Sequence, residues 1–144
     1  MNFTGTKNFR ISELEASSTA RKYKIDNRIP SEYLSNAKRL LEFLQDLRDK
    51  WGSGIIITSG FRGIMLNKLV GGSPTSAHCT CNAVDIYPCN GKFEEFKRFM
   101  IECLKGKLWD QCILERNRTS QWIHLGLYNN SGKQRRQVFS LEND

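Results

Sequence analysis

The sequence predicts a single α+β domain over residues 1–144, with a mostly antiparallel sheet flanked by helices. Three observations predict it. A long Leu-rich helical pattern comes early, and two β-branched runs, "GIIITSGF" and "AVDIYP", follow it. Two more strand-like runs then flank the polar turn "NRTS", the pattern of an antiparallel hairpin.

Taken in order, "FRISELEASSTARKYKI" predicts a short helix, with Ser12 as its expected cap before Glu13 and Glu15 and "DNRIP" as the loop after it. "PSEYLSNAKRLLEFLQDLRDKWGSG" predicts the main helix, capped by Ser31 and ended by Gly52. Within it Leu34, Ala37, Leu40, Leu41, Leu44 and Leu47 recur at helical spacing as a core stripe. "GIIITSGF" predicts a buried strand bounded by Gly54 and Gly60. "RGIMLNKLVGGSPTSAH" reads as a short helix and a Gly-rich loop, and "AVDIYP" as a second buried strand stopped by Pro88. "KFEEFKRFMIECLKGK" is an amphipathic helix with Phe93, Phe96, Phe99, Met100 and Cys103 inward. "WDQCILER" and "QWIHLGLY" form the hairpin, and "RQVFSL" adds an edge strand in the tail.

With 39% hydrophobic and 26% charged residues the chain falls in the globular range, not the disordered one. No apolar run approaches a membrane span, and the N-terminus lacks the apolar core of a secretory signal. The expectation is a chain made in the cytoplasm. A formal charge of +7 favours polyanionic partners: nucleic acid, anionic lipid or acidic cell-wall polymer. The basic cluster from Lys133 to Arg136 is too short to signal nucleic acid, and no aromatic ladder interleaves with it. Five cysteines, an odd number without a CxxC pair, argue against a disulfide framework and against a zinc knuckle. Glycosylation triplets at Asn2, Asn117 and Asn129 matter only in a eukaryotic secretory pathway, which nothing in the sequence indicates.

The stretch "SAHCTCNAVDIYP" concentrates the chemistry. His78 precedes a buried strand, Asp85 lies within it, and His124 lies within a later strand. Charged groups there are costly unless paired or liganded. A catalytic zinc takes three such ligands and keeps a fourth position for water. It lowers that water's pKa, and a nearby carboxylate accepts the proton. Spacing alone leaves the alternative open that these histidines are satisfied core residues.

The succession "ITSGFRGIMLNKLVGGSPTSAHCTCNAVDI" goes further. With Ser59–Arg62 as "SGFR", Leu66-Asn67, the loop Val70–His78, Ala83, Asp85 and "WIH" at Trp122–His124, it closely resembles the zinc D-Ala-D-Ala carboxypeptidase and L-Ala-D-Glu endopeptidase family. Those enzymes cut bacterial peptidoglycan peptides. "FRISEL", "IDNRIP" and "WDQCILE" extend the resemblance over about 120 residues in the same order, closest to the small single-domain phage and prophage members. The resemblance implies a hedgehog-like fold, one zinc held by His78, Asp85 and His124, Arg62 holding the substrate near the scissile bond, and Ser76 hydrogen-bonding it. It implies a monomer acting on wall peptide after release from the cell, endolysin-like, with neither nucleic acid nor membrane as partner.

Two positions depart from that family. Cys81 replaces a Gly, so a left-handed backbone there would be strained, and its thiol is a potential competing ligand. Gln121 stands where several relatives carry Asp or Glu, and it cannot accept a proton. The expected general base is therefore Glu115, placed across the hairpin from "WIH", with Asp110 in reserve as a more structural group. The rival readings are a non-catalytic zinc-containing binding module of the same fold and a basic nucleic-acid-binding domain with zinc at Cys79 and Cys81.

Overall fold

The computed structural model describes residues 3–143, so Asn2 of the first glycosylation triplet lies outside it. Helices α1 (Ile11–Glu15), α2 (Ser18–Lys22) and α3 (Leu34–Trp51) precede strand β1 (Ile55–Ser59). Helix α4 (Ile64–Leu69) and a 3-10 turn, Ala77–Thr80, lead into β2 (Ala83–Pro88). Helix α5 (Phe93–Leu104) then connects to β3 (Gln111–Arg116), β4 (Gln121–Gly126) and β5 (Gln137–Glu142). The five strands form one sheet in the order β1-β2-β4-β3-β5. Every pairing is antiparallel except β3 with β5, as the α+β reading anticipates. Because β4 inserts between β2 and β3, α5 serves as a crossover that skips one strand.

The first helical segment is two helices. Arg10, not Ser12, precedes α1, and its N–H donates to Glu13 Oε1 at 2.7 Å. Ser17 caps α2 by accepting from the Ala20 N–H at 3.1 Å. Nor does Ser31 cap α3. Pro30, with φ −60°, opens a 3-10 turn over Ser31–Tyr33 that the Tyr33 N–H closes on the Pro30 carbonyl, and α3 follows from Leu34. At the other end Gly52 adopts φ 78°, the left-handed conformation glycine supplies without a Cβ clash.

The Leu stripe of α3 is fully buried at Ala37, Leu40, Leu41, Leu44 and Leu47. It packs with Phe96, Met100 and Leu104 of α5 against Val84 and Ile86 of β2, Cys112 of β3, and Ile123 and Leu125 of β4. These strand residues alternate along the chain, so the helices cover one sheet face only. β1 is only in part the buried strand that its β-branched composition predicts. It is an edge strand pairing with β2 alone; Ile55 is buried and Thr58 exposed. β5 is the other edge, exposed along its length. No helix among the described residues is long and apolar enough to cross a membrane.

Candidate metal centre

The site occupies the sheet face opposite the helices, and strand register builds it. Asp85 of β2 pairs with His124 of β4, His124 with Ile113 of β3, and Trp122 with Glu115. Since successive strand residues point to opposite faces, Asp85, His124, Trp122, Ile113 and Glu115 share this one. His78 arrives from the 3-10 turn Ala77–Thr80 that precedes β2. Ser76 Oγ caps that turn, accepting the His78 N–H at 3.2 Å. The Arg62 N–H donates to the His78 carbonyl at 3.1 Å, tying the end of β1 to the same turn.

Three ligand-type atoms converge. His78 Nε2 lies 3.3 Å and His124 Nδ1 3.1 Å from the same Asp85 oxygen, Oδ1. One ligand atom from each of His78, Asp85 and His124 falls within 4.8 Å of the others. His78 Nδ1 is 2.6 Å from the Gly60 carbonyl oxygen, which can only accept. Nδ1 therefore carries a proton whether the ring is neutral or charged, so Nε2, which faces Asp85, is the nitrogen that can release its proton and ligate a metal. Two imidazole nitrogens and one carboxylate oxygen, buried or half-buried, form the mixed donor set that suits zinc. Burial by itself pushes the Asp85 carboxyl up, but the charge and hydrogen bonds of His78 and His124 hold it well below the usual carboxylate range.

Arg62 stands beside the cluster. Its Nη2 donates to Ser76 Oγ at 3.2 Å, and its Nε is buried without a hydrogen-bond partner among the described residues. Asn27 holds the turn carrying it: Asn27 Nδ2 donates to the Glu15 and Phe61 carbonyls at 3.0 and 2.9 Å, and its Oδ1 accepts the Gly63 N–H. The sequence signals Asn27 only as part of "IDNRIP". Arg62, Ser76, His78, Asp85, Glu115 and His124 all line one cleft of about 660 Å³.

The Peptidase M15 family pattern matches residues 7–126. The chain belongs to the peptidase M15 family. No curated protein matches it. M15 peptidases are zinc-dependent, and the His78, Asp85, His124 cluster lies wholly inside the matched span. The tail after Gly126, including β5, lies outside that span.

Within this M15 domain the candidate bases separate by register. Glu115 faces the cleft, and its Oε1 accepts from Asn143 Nδ2 at 3.1 Å. Gln121 pairs with Arg116, one residue out of phase with the Trp122–Glu115 pair, and is not part of the cleft wall. Asp110 is committed elsewhere. Arg135 holds both its oxygens, Nε to Oδ1 and Nη2 to Oδ2 at 2.8 Å each, and the Arg135 N–H adds a third bond.

The cysteines stand apart from the cluster. Cys81 adopts φ 60° and ψ 35°, so the strained left-handed turn is present, but its thiol is buried in the hydrophobic core. Burial pushes it up to about 12. Cys79 is half-buried, and burial raises its thiol against the opposing charge of Arg62. Neither belongs to the ligand cluster, which removes the competition that the sequence raised. Sequence reasoning missed the Gly60 carbonyl, Asn143 and Arg135; nothing local in the chain marks them.

Proposed function

We propose that this M15 chain is a zinc peptidase that hydrolyses the peptides of bacterial peptidoglycan. The observation that carries the reading is that Glu115 shares one cleft, and one sheet face, with the His78, Asp85, His124 cluster. A proton acceptor thus lies on the same wall as a metal-type donor set. The resemblance of "SGFR", "VGGSPTSAH" and "WIH" to the peptidoglycan peptidases supports the substrate class, and the basic charge of +7 suits an anionic wall.

His78 Nε2, Asp85 and His124 would hold the zinc, which when bound supplies Lewis acidity and a water acidified toward neutrality. Arg62 presents a planar fork for a substrate carboxylate or carbonyl, with Ser76 steadying Nη2. As water oxygen adds to the scissile carbonyl carbon, the Glu115 carboxylate takes the proton. It returns that proton to the leaving amine nitrogen as the C–N bond breaks. The chain acts at the wall after release from the cytoplasm.

The test is digestion of purified peptidoglycan, with mass spectrometry of the products, by zinc-loaded wild type and Glu115→Ala. New peptide ends from wild type, lost in a variant that keeps its zinc, are expected, and the fragment mass names the bond. A wild type that holds zinc yet cuts no wall type would leave a binding module of the same fold.

A further inference from the structure

The chain after Gly126 folds back onto the site. Leu127 N–H bonds the Asn82 carbonyl, Arg136 N–H bonds that of Trp109, and Gln137 N–H bonds that of Asp110. β5 then runs parallel to β3 in continuous register, from Gln111 opposite Gln137 to Arg116 opposite Glu142. At its end the Asn143 N–H donates to the Arg116 carbonyl at 2.7 Å. This bond fixes the Asn143 backbone beside Glu115, and its side-chain amide reaches the Glu115 carboxylate. Both residues line the cleft.

We propose that Asn143 is a positioning residue for the reaction: its amide holds Glu115 Oε1 and so leaves the other oxygen to face the water and the leaving nitrogen. A half-buried glutamate has three rotatable side-chain bonds, so without a partner its carboxylate samples rotamers that turn away from the metal cluster as well as toward it. A single amide donor to one oxygen selects among them without removing the proton-accepting capacity of the other. The amide cannot itself accept a proton from a carboxyl at neutral pH, so it orients the base without competing as one. The contact comes from outside the span that the family pattern matches, so this device belongs to the chain's own tail. The inference rests on Glu115 as base of the proposed peptidase.

The test uses the full zinc-loaded chain and a soluble peptide fragment of peptidoglycan. Asn143→Ala should lower kcat about tenfold to a hundredfold, the scale of a misplaced catalytic group. KM, zinc content and unfolding midpoint should stay near wild type. In a Glu115→Gln background the same substitution should change kcat less than twofold, because the partner it acts through is already gone. In ¹⁵N-labelled protein the Asn143 side-chain amide should shift on Glu115→Ala. A wild-type kcat in Asn143→Ala, or an equal loss in both backgrounds, overturns the proposal. If wild type cuts no peptide, the peptidase reading falls, and an unmoved amide resonance would separately show that Asn143 does not hold Glu115.

Discussion

The Gly60 carbonyl and the His78 ring are joined by a 2.6 Å hydrogen bond across 18 residues of chain. Through it the end of β1 determines which nitrogen of His78 faces the cluster. Gly60 can do this because it also touches α1: a Cβ there would lie 2.7 Å from both Leu14 Cα and Leu14 O. The Phe61 N–H bonds that same Leu14 carbonyl at 2.7 Å. A single glycine thus seats α1 against the strand and aims the ligand.

Gly60→Ala should therefore impair metal binding and stability together. The clash is with backbone, which cannot swing away, and overpacking of this kind costs about 1–3 kcal/mol. Urea unfolding and zinc content per chain measure the two effects; a variant that loses neither would show that α1 can move freely.

Zinc should raise the unfolding temperature of wild type but not of His124→Ala. A ligand bound only to the folded state stabilises it by about 2.7 kcal/mol at a hundred times its Kd. Calorimetry with added zinc, then with chelator, reads this directly. Chelation should also abolish hydrolysis, and zinc should restore it.

Acid should weaken the tail anchor. Burial pushes the Asp110 carboxyl up, but the Arg135 fork and N–H hold it below its ordinary value. A depressed folded pKa contributes stability that is present above the unfolded value of about 3.9 and lost as pH falls through the folded one. Asp110→Asn should then be about 2 kcal/mol less stable than wild type at pH 7, the scale of hydrogen bonds to a charged group. That gap should narrow by pH 3, and urea unfolding at the two pH values checks it.

Cys81→Gly should be less destabilising than Cys81→Ala. Both lose the buried sulfur, but only glycine relieves the left-handed backbone at φ 60°, a strain of about 1 kcal/mol. The order of the two midpoints in thermal unfolding is the measurement. Alkylation of folded protein at mild pH should mark exposed Cys89 and spare Cys81 and Cys112, whose thiols burial pushes up to about 12.

What the sequence determined by itself was local. The Leu stripe of α3, the strand "AVDIYP", the hairpin about "NRTS" and the tail strand each follow from periodicity within one segment. The motif segments also named His78, Asp85 and His124, which the sheet then brings together. Tertiary structure decided everything that depends on pairing between segments. Strand register put Glu115 on the cleft face and Gln121 out of phase with it, a distinction of one residue that no spacing rule contains. Packing sent the Cys81 thiol into the core, and Arg135 took both oxygens of Asp110. The Gly60 carbonyl reached His78, and Asn143 reached Glu115, across 18 and 28 positions of chain. Such contacts cannot be read from local patterns, because backbone groups and side chains distant in sequence meet only once the sheet has set its order.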